Sequence, residues 1–161
     1  MLLRRARPDD SAEITGLIRK FAKRKLMLPV TKDFLYEHIN DYFIAEEKGE
    51  TAGVVFLRVY SEQLAEIRSL AVSPESQKSG IGRKLVQHAL KEAARSGIGE
   101  VFALTVVPGF FVKLGFSILQ KERYPEKIWI DCNSCPKKDD CDETTVAISL
   151  KSRAKRKKPK A

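Results

Sequence analysis

Long apolar runs are missing from this 161-residue sequence. No stretch approaches the roughly 20 residues that cross a bilayer, and Met1-Leu2-Leu3-Arg4-Arg5 meets charge before the apolar segment of a signal peptide can develop. A cytoplasmic protein with no membrane partner is the expectation. Histidine is scarce: His38 and His88 are the only two, each in a helical stretch without a second metal ligand nearby in sequence, so both read as structural or surface residues. Cysteine is scarce too, and all three thiols fall between Cys132 and Cys141. An odd set confined to one segment fits a reducing compartment better than a disulfide framework. The spacing Cys132-x-x-Cys135-x5-Cys141 suits zinc but lacks a clear fourth ligand unless Asp131, Asp140 or Asp142 serves, and a thiol cluster without metal is the expectation. Also absent are a Walker A element, a complete G-x-G-x-x-G and any internal repeat.

Acidic charge is missing from the C-terminal end. Residues 151–161 carry Lys151, Arg153, Lys155, Arg156, Lys157, Lys158 and Lys160 with no acid, which leaves only +2 of the formal +9 for the rest of the chain. The basicity therefore belongs to a tail, expected to be disordered, and not to a nucleic-acid-binding face; contact of that tail with RNA or an acidic surface is the alternative. The remaining 1–150, in a chain that is 43% hydrophobic and 32% charged, suit one domain with a real core.

What the sequence does contain is concentrated between Ala65 and Leu90. Ala65 to Val72 alternates and then turns wholly apolar, as a strand near the middle of a sheet does. Ser73 to Ser79 is polar and holds a proline, which ends the strand. From Gly80 on, Ile81, Leu85, Val86, Ala89, Leu90 and Ala93 recur at helical spacing. The first N–H groups of a helix lack internal acceptors and lie at the positive end of its dipole. An anion such as a pyrophosphate fits there. Gly80 and Gly82 let the backbone approach it closely, and Lys78, Arg83 and Lys84 add positive field.

In chain order, Leu2 to Ala6 reads as a strand, and Pro8-Asp9-Asp10 opens a helix whose buried stripe is Ile14, Leu17, Ile18, Phe21 and Ala22. The cations Arg19, Lys20, Lys23, Arg24 and Lys25 then form either a wet face or an attractor for an anionic acceptor. Thr31 caps a short helix. Tyr42 to Glu46, Ala52 to Tyr60 and Leu64 to Val72 form an antiparallel meander. Val101 to Val107 should lie parallel to the Leu64 strand after a helical crossover. Pro108 to Leu114 is a short helix, and Phe116 to Leu119 and Thr144 to Leu150 are closing strands.

The spacing Gln77-x-x-Gly80-x-Gly82 after an apolar strand resembles the acyl-CoA loop of the GNAT superfamily of N-acetyltransferases, and Phe111-Val112-Lys113-Leu114-Gly115-Phe116 resembles its later helix-to-strand corner. The resemblance implies an α/β GNAT fold: a mixed, mostly antiparallel sheet with helices on both faces and a splayed central strand pair. It implies acetyl-CoA as cosubstrate and no required metal. By position, the Leu70 N–H would meet the thioester carbonyl, the Leu70-Ala71-Val72 backbone would hold the pantetheine, and the amides of Gln77, Lys78, Ser79, Gly80, Ile81 and Gly82 would take the pyrophosphate. Ala65-Glu66-Ile67 resembles the strand segment with the general-base glutamate of the superfamily's histone acetyltransferases. Glu66 is accordingly the candidate base; the alternative is that Glu66 and Arg68, on one face of an alternating strand, simply pair. The superfamily's thiolate-protonating tyrosine position is occupied by Phe111 here, so the thiolate would leave without a protein acid.

A narrower resemblance covers about residues 26–149. Leu26-Met27-Leu28-Pro29, Leu64 to Val72, Phe110 to Phe116 and Pro125-Glu126-Lys127-Ile128-Trp129-x-Asp131-Cys132-x-x-Cys135-Pro136 are similar to the short, single-domain N-acetylglutamate synthases of bacterial arginine biosynthesis. The implied reaction moves acetyl to the α-amine of a small amino acid, L-glutamate first. The chain departs from that pattern at Val30, where the family has arginine, and at Val106, where it has tyrosine. A dicarboxylate acceptor needs cations, and Arg68, Arg58, Arg19 and Lys113 are the candidates. Two alternatives stay open: a GNAT enzyme for another amine (protein lysine, polyamine or toxic amine), and a non-catalytic acyl-CoA- or RNA-binding module. A homodimer is also open.

Overall fold

The computed structural model describes residues 1–125, 135 and 141–150. Among these, seven strands, β1 (Leu2–Arg5), β2 (Tyr42–Glu47), β3 (Glu50–Val59), β4 (Leu64–Val72), β5 (Glu100–Thr105), β6 (Ser117–Leu119) and β7 (Thr144–Ser149), form one sheet in the order β1-β2-β3-β4-β5-β7-β6. Only β4 and β5 run parallel; the other neighbours are antiparallel. The helices are α1 (Ser11–Lys23), α2 (Lys32–Glu37), α3 (Ile81–Arg95) and α4 (Pro108–Lys113). The expected meander, crossover and closing strands are all present. The tail 151–161 and most of the cysteine segment, Cys132 included, lie outside the described residues; of the other two cysteines, Cys135 is half-buried and Cys141 exposed. No helix among the described residues is long and apolar enough to cross a membrane.

Local chemistry sets the helix starts. The Thr31 hydroxyl accepts the Phe34 N–H at 3.1 Å and caps α2. Ahead of α1, Asp10 accepts the Arg7 N–H at 2.7 Å and two hydrogen bonds from the Arg4 guanidinium at 2.8 and 2.9 Å, which pins the first strand to the first helix.

The inner strands bury both faces, while the edge strands β1 and β6 do not, so the middle of the sheet lies between two apolar layers. On one side Val55, Leu57, Ala65, Ile67, Val101 and Ala103 pack against Ile81, Leu85, Val86, Ala89 and Ala93 of α3 and Phe111 of α4. On the other, Tyr42, Ile44, Val54, Phe56 and Ala71 meet Ile14, Leu17 and Ile18 of α1 and Leu35 of α2. A third cluster of Leu64, Phe102, Tyr124 and Ala147 fills the β5 end.

The centre of the sheet is irregular in two linked ways. β4 pairs with β5 only over Leu64–Glu66 against Glu100–Phe102, and beyond that the two strands share no register. On the other flank, Arg68 pairs with Phe56 and Ala71 with Val54, so β4 takes three steps where β3 takes two. Ser69 absorbs the extra residue at φ 52°, a left-handed conformation uncommon outside glycine. The bulge and the separation together make the splayed pair that the resemblance implied.

Candidate active site

Where β4 and β5 part, a cavity of about 270 Å³ opens. One wall is Glu66, Ile67, Arg68, Ser69 and Leu70 of β4, the opposite wall Ala103 to Val107, and Leu26 to Val30 cover it from the loop after α1. Phe21, Phe111 and Glu143 complete the lining. Glu66 is 2% exposed, and its Oε1 accepts the Tyr60 hydroxyl at 2.8 Å. It stands opposite Arg58 in the β3–β4 register and two residues from Arg68, on the same face. Both guanidiniums approach the Phe34 ring, at 5.6 Å for Arg58 and 5.9 Å for Arg68. A carboxylate in a nearly dry pocket beside fixed cations can take a proton from a bound group, and a guanidinium can hold a carboxylate by paired hydrogen bonds.

Behind the Ser69 bulge, Tyr42 lies flat on Phe56, ring centres 4.4 Å apart. Burial pushes its phenol up to about 12, although Arg68, Ser69 and Arg58 each act to lower it. Its oxygen has no partner of hydrogen-bonding geometry among the described residues, so the nearby Ser69 hydroxyl acts without closing a proper bond.

At the end of β4 the chain turns into α3 through the predicted anion loop. Gly80 precedes the helix at φ 83°, and its carbonyl accepts the first helical hydrogen bond, from the Lys84 N–H at 3.1 Å. The preceding Lys78 is also left-handed, at φ 69°. Gln77 ties the loop back: its Nε2 donates to the Val72 carbonyl at 3.1 Å. Ser79 donates to the Ser76 carbonyl. A second cavity, of about 330 Å³, lies over the helix start and is lined by Val72, Ser76, Gln77, Lys78, Gly80, Ile81, Gly82, Arg83 and Phe110. A Cβ on Gly82 would touch Phe110 at 3.5 Å and Val72 at 3.6 Å, so larger side chains there fill this space. Amides at a helix start, two cations and an absent Cβ fit a diphosphate.

The structure thus brings Glu66, Arg68 and Leu70 to one cavity and Gln77, Lys78, Gly80, Ile81, Gly82 and Arg83 to the other. Val72 lines the second, Ala71 faces the α1 layer, and Lys84 is exposed on the first turn of α3. Arg58 stands next to Glu66 but outside the lining, while Arg19 and Lys113 are exposed and line neither cavity. His38 packs on Phe34, and His88 edges onto Phe43 with its pKa lowered by burial; neither reaches a cavity. Sequence reasoning missed Tyr60, Phe110 and Glu143. Tyr60 was within reach, because an antiparallel pair with Arg58 opposite Glu66 makes Tyr60 a diagonal neighbour; Phe110 and Glu143 belong to segments that carry the narrower resemblance, which gave neither a role in the site.

Residues 11–116 match the model of the acetyltransferase (GNAT) family. This chain belongs to that family. It is an acetyl-CoA-dependent N-acetyltransferase. It is 40% identical over 148 residues to an uncharacterized N-acetyltransferase of Chlorobaculum tepidum, covering 92% of this chain and 96% of that one. It is 33% identical over 122 residues to an amino-acid acetyltransferase of Mycobacterium tuberculosis, covering 74% of this chain and 70% of the relative. The fold superposes with a TM-score of 0.84 and 28% identity on N-acetylglutamate synthase from Neisseria gonorrhoeae, solved with coenzyme A and N-acetyl-glutamate, over 92% of this chain and 35% of that one. The Gly80–Gly82 loop lines one of the two cavities, and Glu66 lines the other, at the splay between β4 and β5.

Proposed function

We propose that this acetyltransferase acetylates the α-amine of a small amino acid, with L-glutamate as acceptor, as in the N-acetylglutamate synthases of arginine biosynthesis. The observation that carries the reading is the placement of Glu66 and Arg68 on one face of β4, both lining the cavity between the separated strands. Arg68 would hold a carboxylate of the acceptor by charge-assisted hydrogen bonds, with Arg58 adding positive field from the neighbouring strand. Glu66 would accept a proton from the α-ammonium, which is mostly protonated at neutral pH.

Acetyl-CoA supplies the activated acetyl thioester. The backbone N–H groups of Gln77 to Gly82 and the side chains of Lys78 and Arg83 would bind its diphosphate. The Leu70 N–H, on the cavity wall beyond Glu66, the last residue of β4 paired with β5, would donate to the carbonyl oxygen as negative charge gathers there. Holding both reactants in line across the splay supplies much of the remaining rate. Phe111 is buried where a tyrosine acid would stand, so departure of the thiolate relies on solvent.

One observation favours a second reading with the same fold and cosubstrate. Val30 and Val106, the departures from the synthase pattern, both line the acceptor cavity. Two polar groups are thereby replaced by apolar ones, which suits a less polar amine than glutamate. Thiol release from acetyl-CoA with a panel of glutamate, glutamine, other amino acids, polyamines and lysine peptides tests both. Turnover with glutamate at least tenfold above every other acceptor supports the first reading, and a preference for an apolar or non-amino-acid amine replaces it with the second. A cytoplasmic location and membership of arginine biosynthesis go with the first reading. The basic tail 151–161 would then be dispensable for turnover.

A further inference from the structure

We infer that Tyr60 is a positioning residue for acetyl transfer, its hydroxyl fixing the Glu66 carboxylate against the acceptor cavity. The inference rests on the reading of Glu66 as the base. Tyr60 follows β3 directly, and its N–H donates to the Leu64 carbonyl at 2.9 Å, which closes the hairpin and sets the two strands in register. On the face shared with Glu66, the Tyr60 hydroxyl donates to Oε1 at 2.8 Å. Glu66 lines the cavity; Tyr60 does not, and so stands behind the carboxylate rather than beside a substrate.

The tyrosine ring is itself held. It stacks on Phe102 at 5.9 Å, and Phe102 stacks on Tyr124 at 4.0 Å and 9°. The Arg58 guanidinium lies 5.4 Å from the Tyr60 ring centre. A phenylalanine would serve this stack equally well, so the stack does not account for the hydroxyl. A glutamate has several soft side-chain torsions, and a base must sit within hydrogen-bond reach of the proton it takes. One short hydrogen bond from a rigid donor removes that freedom. A phenol is a much weaker acid than a carboxyl group, so the shared proton stays on Tyr60 and the carboxylate remains the acceptor.

Steady-state kinetics on the full chain, with the acceptor that gives the highest turnover, test the inference. Tyr60→Phe should lower kcat by about 10- to 100-fold, the scale set by misplacing a reacting group, and leave KM for acetyl-CoA unchanged. Glu66→Gln should lower kcat further, and the double variant should be no slower than Glu66→Gln alone, because the hydroxyl acts only through that carboxylate. Full kcat in Tyr60→Phe beside a collapsed Glu66→Gln overturns the positioning role and leaves the base in place. A Glu66→Gln enzyme within twofold of the parent overturns the base and this inference with it. Should Tyr60→Phe fail to fold, 3-fluorotyrosine at position 60 keeps the shape and makes the donor more acidic. A kcat unchanged by that replacement also overturns the inference, since a purely structural ring would not register it.

Discussion

Replacing Gly53 by alanine adds a net one carbon and two hydrogens to β3, yet it should loosen the Gly80–Gly82 loop, which is remote in sequence. Gly53 sits on the sheet face beneath α3. A Cβ there would lie 2.9 Å from Leu85 Cδ1, 3.1 Å from Ile81 Cγ2 and 3.2 Å from the Ala71 carbonyl oxygen. Leu85 can rotate its methyl away. Ile81 and the Ala71 carbonyl are less free, because one is the first residue of α3 and the other is backbone of β4 next to the bulge. The easiest relief is for the start of α3 to rise by a few tenths of an ångström. That movement costs packing on a face where Ile81 and Leu85 are 2% and 0% exposed.

Overpacking of this kind costs typically about 1–3 kcal/mol, against about 0.8 kcal/mol regained for burying one more carbon. A net loss of about 0.2–2 kcal/mol follows. For a chain of this size that is a fall in Tm of up to roughly 8 °C. If the displaced turn holds the diphosphate as proposed, acetyl-CoA binding should also weaken several-fold. Differential scanning calorimetry and isothermal titration with acetyl-CoA read the two effects separately. A Gly53→Ala protein with unchanged Tm and unchanged Kd would refute the claim that close contact of α3 with β3 sets the loop. A lower Tm with unchanged Kd would refute only the link to the loop.

The remaining predictions concern the loop, the acceptor cavity and the N-terminal ion pair. Gly82→Val should abolish measurable acetyl-CoA binding by titration while the protein stays folded, since its methyls would enter the space bounded by Phe110 and Val72. Arg68→Gln should raise the acceptor KM by about 10- to 100-fold, the worth of one charge-assisted hydrogen bond, with KM for acetyl-CoA unchanged. Asp10→Asn should destabilise the protein at pH 7 by about 1–2 kcal/mol, read by urea titration. The Arg4 guanidinium, and then the Arg7 N–H, hold the Asp10 carboxyl below the usual carboxylate range even though burial opposes them. A depressed folded-state pKa means stabilisation that is complete above the unfolded value near about 3.9 and is lost as pH falls through the lower folded-state value. The gap between Asp10→Asn and the parent should therefore persist from pH 7 to about 5 and close below about 4.

How much of this was legible follows from the range of each signal. The start of α3 is a local matter of glycine, dipole and apolar period, and the sequence alone places Gly80 at a helix start where the structure has it at φ 83°. The shared face of Glu66 and Arg68 follows from strand alternation over two residues, and it holds. Carried two residues further, the same alternation fails. It would put Leu70 on the Glu66 face, but the extra residue at Ser69 sends Leu70 to the α3 layer and Ala71 to the α1 layer. A serine in the left-handed region carries no mark in a sequence, since nothing about its side chain demands that conformation. Arg19 and Lys113 illustrate the other limit. Both belong to correctly placed helices, and still neither lines a cavity, because the direction of an exposed side chain depends on elements far away in the chain.

The bulge and the splay are one device. Had β4 continued its alternation, the Leu70 and Arg68 side chains would share a face. The extra residue at Ser69 instead turns Leu70 toward the α3 layer, where the Gly80–Gly82 loop lies, while Glu66 and Arg68 keep facing Phe34 and the α1 layer. On the proposed reading, one strand would serve two reactants from opposite faces, and they would meet where β5 stands away from it beyond Phe102. The hydrogen bonds given up between β4 and β5 are the structural cost of the splay, and the apolar layers on both faces of the sheet are what keep the two strands in one fold despite it.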